Sequence, residues 1–235
     1  MRLKIATLAA AVAVAVSSVL GANVAAAQAP AKVDVASGMR WATDLNIPDS
    51  HSGWCTIAAV GTDESGNLVA LTAGHCGSSV PDGSPIWLKD KPDAGVVGHI
   101  SSTRRNARPG PDYAFLVLDP DKVNIKSQGP LGRIDHIGSN PRPFQDVVCK
   151  YGGTTGKTCG LTMTNNGSTI WNFAYVSAGD SGAGLTVAPS YTGLVGIVRS
   201  VSISGSEYTN IGAVFAHLNT LPAGAPGRGF VVVNN

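Results

Sequence analysis

Charge is scarce in this chain. Asp, Glu, Lys and Arg together make up 14% of 235 residues, which argues against a solvated disordered chain and against a charge-laced coiled coil. No repeat of 20–50 residues is evident, so a solenoid or propeller built from sequence repeats is not indicated. Beyond the N-terminus there is no low-complexity block and no apolar run long enough to span a bilayer. Closely paired metal ligands of the CxxC or HExxH kind do not occur, which leaves a zinc site without a motif.

What is present is glycine, 29 residues of it, spread through short apolar runs. That combination predicts a compact, turn-rich all-β protein, and the length suits one large domain or two small ones. Residues 1–27 read as a secretory signal: Arg2 and Lys4 open it, an Ala/Val/Leu-rich run follows, and Ala25-Ala26-Ala27 offers a cleavage site. An uncleaved anchor is the rival reading, and the apolar run is short for one. Loss of Arg2 and Lys4 would leave equal numbers of basic and acidic residues, so nothing draws the mature chain to nucleic acid or to an anionic membrane surface. Arg104, Arg105 and Arg108 form a small cluster, read as a solvated loop rather than a phosphate site.

Four cysteines in an exported chain suggest two disulfides, for which three connectivities exist. Residues 28–50 lack clear periodicity and read as an N-terminal arm or short propeptide. Strands are predicted at 55–60, 68–72, 86–88, 96–100 and 113–118, and again at 146–151, 160–164, 168–176, 185–187 and 194–198. Asn165-Asn166-Gly167 is a hairpin turn between two of them, which accounts for the Asn166-Gly167-Ser168 acceptor sequence without a glycan. Val214–Asn219 reads as a late short helix. The pattern fits two antiparallel six-stranded β-barrels: residues 51–120, a Pro/Gly-rich linker over 121–145, and residues 146–235.

Three places carry chemistry. His75 follows the strand 68–72 in Leu71-Thr72-Ala73-Gly74-His75-Cys76. Asp112 opens the apolar run Tyr113–Leu118. Ser181 lies in the glycine turn Gly179-Asp180-Ser181-Gly182. A serine hydroxyl is a weak nucleophile, an imidazole can take its proton, and a buried carboxylate can hold that imidazole in one tautomer. A glycine turn can aim backbone N–H groups at a developing oxyanion. His51, His99, His136 and His217 have no comparable setting and read as structural or surface residues. Asp119 and Asp121 read as linker residues.

These three motifs, in the order His, Asp, Ser, resemble those of chymotrypsin-like serine peptidases over about residues 52–220. The stretch Cys149–Gly160 resembles the secreted bacterial streptogrisin and α-lytic branch. The resemblance implies a Cys149–Cys159 bridge and with it Cys55–Cys76, which would brace the loop carrying His75. It further implies His75, Asp112 and Ser181 as catalytic residues and the N–H groups of Gly179 and Ser181 as the oxyanion hole. Lys150 is expected to pair with Asp180 and support that turn.

Two departures bear on the pocket. Arg199 follows Val198 where the family commonly has serine, unless the match slips onto Ser200. The position six before Ser181 is Tyr175 and not an acid. With Ser177, these residues imply an uncharged pocket for small or medium side chains. The implied protein is a secreted, monomeric serine endopeptidase that needs no metal or cofactor and acts on polypeptides. A secreted, catalytically weak or inactive binding protein on the same fold is the alternative, and an esterase with the same residues is a third.

Overall fold

The computed structural model describes residues 31–44, 53–104 and 110–235. The expected signal segment 1–27, and with it His51, Arg105 and Arg108, lie outside the described residues. Among the described residues seventeen strands follow one another: β1 (Val33–Ala36), β2 (Arg40–Ala42), β3 (Cys55–Thr56), β4 (Ala59–Thr62), β5 (Leu68–Thr72), β6 (Pro85–Leu88), β7 (Gly98–Arg104), β8 (Tyr113–Leu118) and β9 (Val123–Lys126) in the first part. Then come β10 (His136–Ile137), β11 (Val147–Gly152), β12 (Gly156–Asn165), β13 (Thr169–Asn172), β14 (Gly184–Val187), β15 (Gly193–Ser202), β16 (Gly205–Asn210), helix α1 (Ile211–Leu218) and β17 (Val231–Val232). Among the described residues no helix is long and apolar enough to cross a membrane.

The second half closes on itself. The order β15-β14-β11-β12-β13-β16 returns to β15 through a β15–β16 pairing, which makes a six-stranded antiparallel barrel. The first half is an eight-strand antiparallel sheet in the order β17-β4-β5-β8-β7-β6-β2-β3, curled as a half-barrel. The all-β, two-unit fold class with a short late helix is the one the strand pattern implies. The added strands have a simple origin: the chain before Cys55 supplies β2, and the chain after α1 returns to supply β17 against β4.

Prediction and structure differ where a strand is very short or its pattern is polar. Residues 33–42 carry no clear alternation, yet β1 pairs in parallel with β9 and β2 lies between β3 and β6. β9 and β10 fall within the expected linker 121–145, and β10 pairs in parallel with β15. β16, with sequence GSEYTN, buries Ser206, Tyr208, Thr209 and Asn210, so its pattern reads as a loop. Helix α1 starts before Gly212 because the Asn210 side chain caps it, accepting from Gly212 N at 2.7 Å. The hairpin turn at Asn166 is present, with Asn166 Oδ1 accepting from Ser168 N and Thr169 N. Arg104 is not a solvated charge: its guanidinium donates to His217 Nε2 at 2.9 Å.

Trp41 shows how deeply the early strands are built in. It is fully buried, packs with Ile57, Ile86 and Leu88, and its indole N–H donates to Thr72 Oγ1 at 3.0 Å. Burial of so large a side chain is a main source of stability here. Trp41→Ala should therefore cost about 3–5 kcal/mol in a urea unfolding series. A loss below about 1 kcal/mol, within the range of surface substitutions, would place β2 outside the cooperative fold.

Candidate active site

His75 sits in the short helical turn Gly74–Gly77 that follows β5. Gly74 is glycine for lack of room: a Cβ there would lie 2.2 Å from the Arg104 carbonyl oxygen and 2.6 Å from that of Tyr113. This close approach sets the His75 loop against the entry of β8, where Asp112 stands. The Asp112 carboxylate is buried and takes both of its bonds from His75. Oδ1 accepts the His75 backbone N–H at 2.8 Å and Oδ2 lies 2.6 Å from Nδ1. With Nδ1–H donating to the carboxylate, Nε2 is left as the free acceptor. Thr209 in β16 pins Asp112 from the other barrel, since its hydroxyl contacts both the N–H and the carbonyl of Asp112 at 3.3 and 3.2 Å.

Ser181 comes from the second unit, in the turn before β14. Asp180 N donates to the Ser177 carbonyl and Ala183 N to the Asp180 carbonyl, which makes two successive tight turns. Gly179 at φ +90° occupies a conformation suited to glycine. A Cβ there would also strike Thr154 Oγ1 at 2.3 Å and Trp54 Nε1 at 2.6 Å. Among the described residues the N–H groups of Gly179 and Ser181 find no acceptor. His75, Gly179 and Ser181 share one cleft of about 330 Å³ with Trp41, Trp54 and the Cys55–Cys76 disulfide. No hydrogen bond joins Ser181 Oγ to His75 among the described residues. The Cys55, His75 and Cys76 ligand atoms cluster closely, but both sulfurs are spent in the disulfide.

A buried carboxylate holds this turn. Asp180 Oδ1 accepts the N–H groups of Thr154 and Thr155 at 2.9 and 3.0 Å. Its Oδ2 accepts the Thr155 hydroxyl at 2.6 Å and the Ser177 N–H at 3.1 Å. Lys150 Nζ lies 3.1 Å from Oδ2, both side chains at 0% exposure. Lys150 also donates to the Thr155 hydroxyl and to the Gly156 carbonyl. Burial works to raise the Asp180 carboxyl, yet the Thr155 hydrogen bond and the Lys150 charge outweigh it and hold the group below the usual carboxylate range. Burial pulls the Lys150 ammonium below its ordinary value, against the opposing pull of Asp180. The second disulfide, Cys149–Cys159, joins facing residues of β11 and β12, next to Lys150.

The expected pocket residues do not form one wall. Val198 is buried in the barrel core, and its carbonyl accepts the Gly182 N–H. Arg199 stands at a register shift between β15 and β16 and sends its guanidinium to the Gly110 carbonyl at 3.0 Å. Ser200 bonds to Glu207 at 2.9 Å, and Ser177 belongs to the serine turn. Tyr175 alone of the five lines an open groove of about 440 Å³, together with Phe173, Val201 and Ile203. Thr56, Thr72, Thr154, Thr155 and Thr209 were not singled out from sequence, because a threonine in a strand or turn looks ordinary until its hydroxyl has a partner.

Two outcomes follow from the buried pair and its neighbours. Lys150→Met strands Asp180 without its cation and should cost about 3–5 kcal/mol in denaturant unfolding; a loss under about 1 kcal/mol would show that the charge is dispensable. Three carboxyls are held low: Asp180, Asp135 against burial through His136 and Arg133, and Asp146 at about 2 through its hydrogen bonds from Arg142. Depressed carboxyls give stability that is present above their unfolded value and lost as pH falls through the folded one. The melting temperature should hold from pH 7 to about 5 and fall below about 4, near the unfolded Asp value, and a melting temperature unchanged at pH 3 would contradict this.

No family model matches the chain. Solved structures show its fold. Thermobifida fusca Protease A aligns with a TM-score of 0.59 at 16% identity, covering 86% of this chain and 100% of that one. Nocardiopsis Protease aligns at 0.59 and 21% identity, also over 86% and 100%. Alpha-lytic protease homolog N4 aligns at 0.58 and 21% identity, over 80% and 98%. These are chymotrypsin-like serine proteases, and at such identities the likeness is one of fold. In sequence, the chain is 32% identical over 170 residues to the uncharacterized protein Rv1815 of Mycobacterium tuberculosis H37Rv, covering 65% of this chain and 70% of that one. The uncharacterized protein MT1863 of strain CDC 1551 matches over the same span. The chain therefore belongs to the family of these two mycobacterial proteins and carries the chymotrypsin-like serine protease fold.

Proposed function

We propose that the protein is an exported serine endopeptidase. One observation carries the reading: a buried Asp112 holds His75 through both carboxylate oxygens, in a cleft shared with Ser181 and with two backbone N–H groups that lack acceptors among the described residues. Ser181 Oγ attacks the peptide carbonyl while His75 Nε2 takes its proton. The N–H groups of Gly179 and Ser181 receive the oxyanion. His75 returns the proton to the leaving amine, and water then releases the acyl group by the same path in reverse. Asp112 keeps the imidazole in the reactive tautomer and stabilises its cation. This chemistry calls for no metal or organic cofactor. The two disulfides agree with an oxidising compartment outside the cytosol.

The groove beside Tyr175 is the proposed seat of the side chain preceding the scissile bond. Both of its walls lead back to the serine turn. Tyr175 and Val176 run through Ser177 and Ala178 to Gly179, and Val201 lies three residues beyond Val198, which bonds Gly182. No charged side chain lines the groove, and Arg199 is directed to Gly110 instead. The reading is therefore cleavage after uncharged residues, with breadth, since methylene-scale differences are worth about 1–3 kcal/mol.

Ser181→Ala should remove peptide and ester hydrolysis by about four orders of magnitude or more and abolish fluorophosphonate labelling, with an unchanged far-UV spectrum. Unchanged labelling of that variant would refute Ser181 as nucleophile. A peptide library should show cleavage after uncharged side chains, and a preference for Lys, Arg, Asp or Glu would refute the pocket assignment. Failure of the wild-type protein to cleave either substrate or to be labelled would favour a binding protein on the same fold.

A further inference from the structure

Thr56, in the short strand β3, meets the serine turn twice. Its backbone N–H donates to the Ser181 carbonyl at 2.8 Å, and its hydroxyl donates to the Gly179 carbonyl at 2.7 Å. The same hydroxyl accepts the Gly153 N–H at 3.0 Å, next to the two threonines that hold Asp180. On its other side the Thr56 carbonyl accepts the Thr72 hydroxyl at 2.8 Å, and Thr72 ends the strand that leads to His75. The residue is fully buried. One side chain and one peptide unit of the first sheet thus engage the carbonyls of the two residues whose N–H groups find no acceptor among the described residues.

We propose that Thr56 is a positioning residue for the oxyanion hole, acting across the boundary between the two sheets. The inference rests on the reading of Ser181 as nucleophile. A carbonyl pinned by a short hydrogen bond fixes the peptide plane between Gly179 and Asp180. Glycine, the residue with most backbone freedom, is the one that needs such a restraint. Trp54 and Thr154, joined by an indole-to-hydroxyl bond at 3.3 Å, close the side of Gly179 where a Cβ would stand. With its carbonyl held and that side walled, Gly179 keeps one orientation. A donor aimed in advance at developing charge contributes more than one that must turn to meet it. Cys55, bridged to Cys76 beside His75, ties Thr56 to the histidine loop as well.

The test compares Thr56→Val, which keeps the branched shape and removes the hydroxyl, with Thr56→Ser, which keeps the hydroxyl. Both are made in the full-length exported protein. Thr56→Val should lower kcat roughly 10-fold, the scale of one buried hydrogen bond, with KM within about two-fold and the pH profile unshifted. Thr56→Ser should restore kcat to near the wild-type value. Amide hydrogen exchange should quicken at Gly153 and Asp180 in Thr56→Val and not in Thr56→Ser. Wild-type kcat in Thr56→Val, or an equal loss in Thr56→Ser, would overturn the proposal. If Thr56→Val does not fold, Thr56→Ala serves in its place. Should the wild-type protein prove inactive and unlabelled, the peptidase reading falls; the exchange data then decide, and unchanged protection at Gly153 and Asp180 would overturn the positioning role.

Discussion

A carboxylate sealed from water, with a lysine sealed beside it, is the constraint on which this structure turns. Neither charge is tolerable alone in such a place, because burial without a partner costs several kcal/mol per ion. Asp180 must therefore gather donors, and it does so from the Thr154–Thr155 loop, from Ser177 and from Lys150. Satisfying that one group sets the shape of the turn that leads into Ser181. The Lys150 end is anchored in β11, between β12 and β14 of the closed barrel, where a cross-strand disulfide lies next to it. A turn made of glycines is thereby given a rigidity that its own backbone lacks.

The site is divided between the two sheets. His75 and Asp112 come from the first, at the ends of adjacent strands, and their geometry follows from local packing around Gly74. The serine turn comes from the second. An apolar cluster shared by the two, with Leu71 and Phe115 on one side and Leu194 and Ile197 on the other, holds them together; at the site the contacts are polar, since Thr56 reaches into the serine turn and Thr209 reaches back to the Asp112 backbone. Hydroxyl groups suit this boundary because each can donate and accept at once, so one short side chain satisfies two buried backbone groups. An apolar contact would bring the sheets together without setting their register to a fraction of an ångström.

Much of this was legible from the chain alone. β5 and β8 were predicted to the residue, because each is an apolar run of the length of one buried strand. The histidine, aspartate and serine motifs stood out because they combine rare local geometry with the residues that acyl transfer uses. The pairing of Lys150 with Asp180 was expected, and the two charges lie within salt-bridge reach. The illegible parts are those whose burial depends on partners far away in sequence. β1 and β2 are too short, at four and three residues, to show a periodicity, and β16 shows no clean alternation because its Ser206, Thr209 and Asn210 side chains are buried against hydrogen-bonding partners. Arg199 could not be placed from sequence, because a long cation beside a pocket has several directions open to it; a register shift and the Gly110 carbonyl settle which one it takes.

The sequence by itself determined the fold class, the places of the three motif residues next to predicted strands or in a glycine turn, and the glycine turn that carries Ser181. Those are matters of periodicity and local sterics, which each segment carries within itself. Only the tertiary structure decided which threonines brace the serine turn, where the early strands lie and which side chains wall the groove. These depend on hydrogen bonds and contacts between segments far apart in the chain, such as Thr56 and Gly179 at a separation of 123. No local pattern records such pairs, because the energy that selects them exists only once both partners have been withdrawn from water.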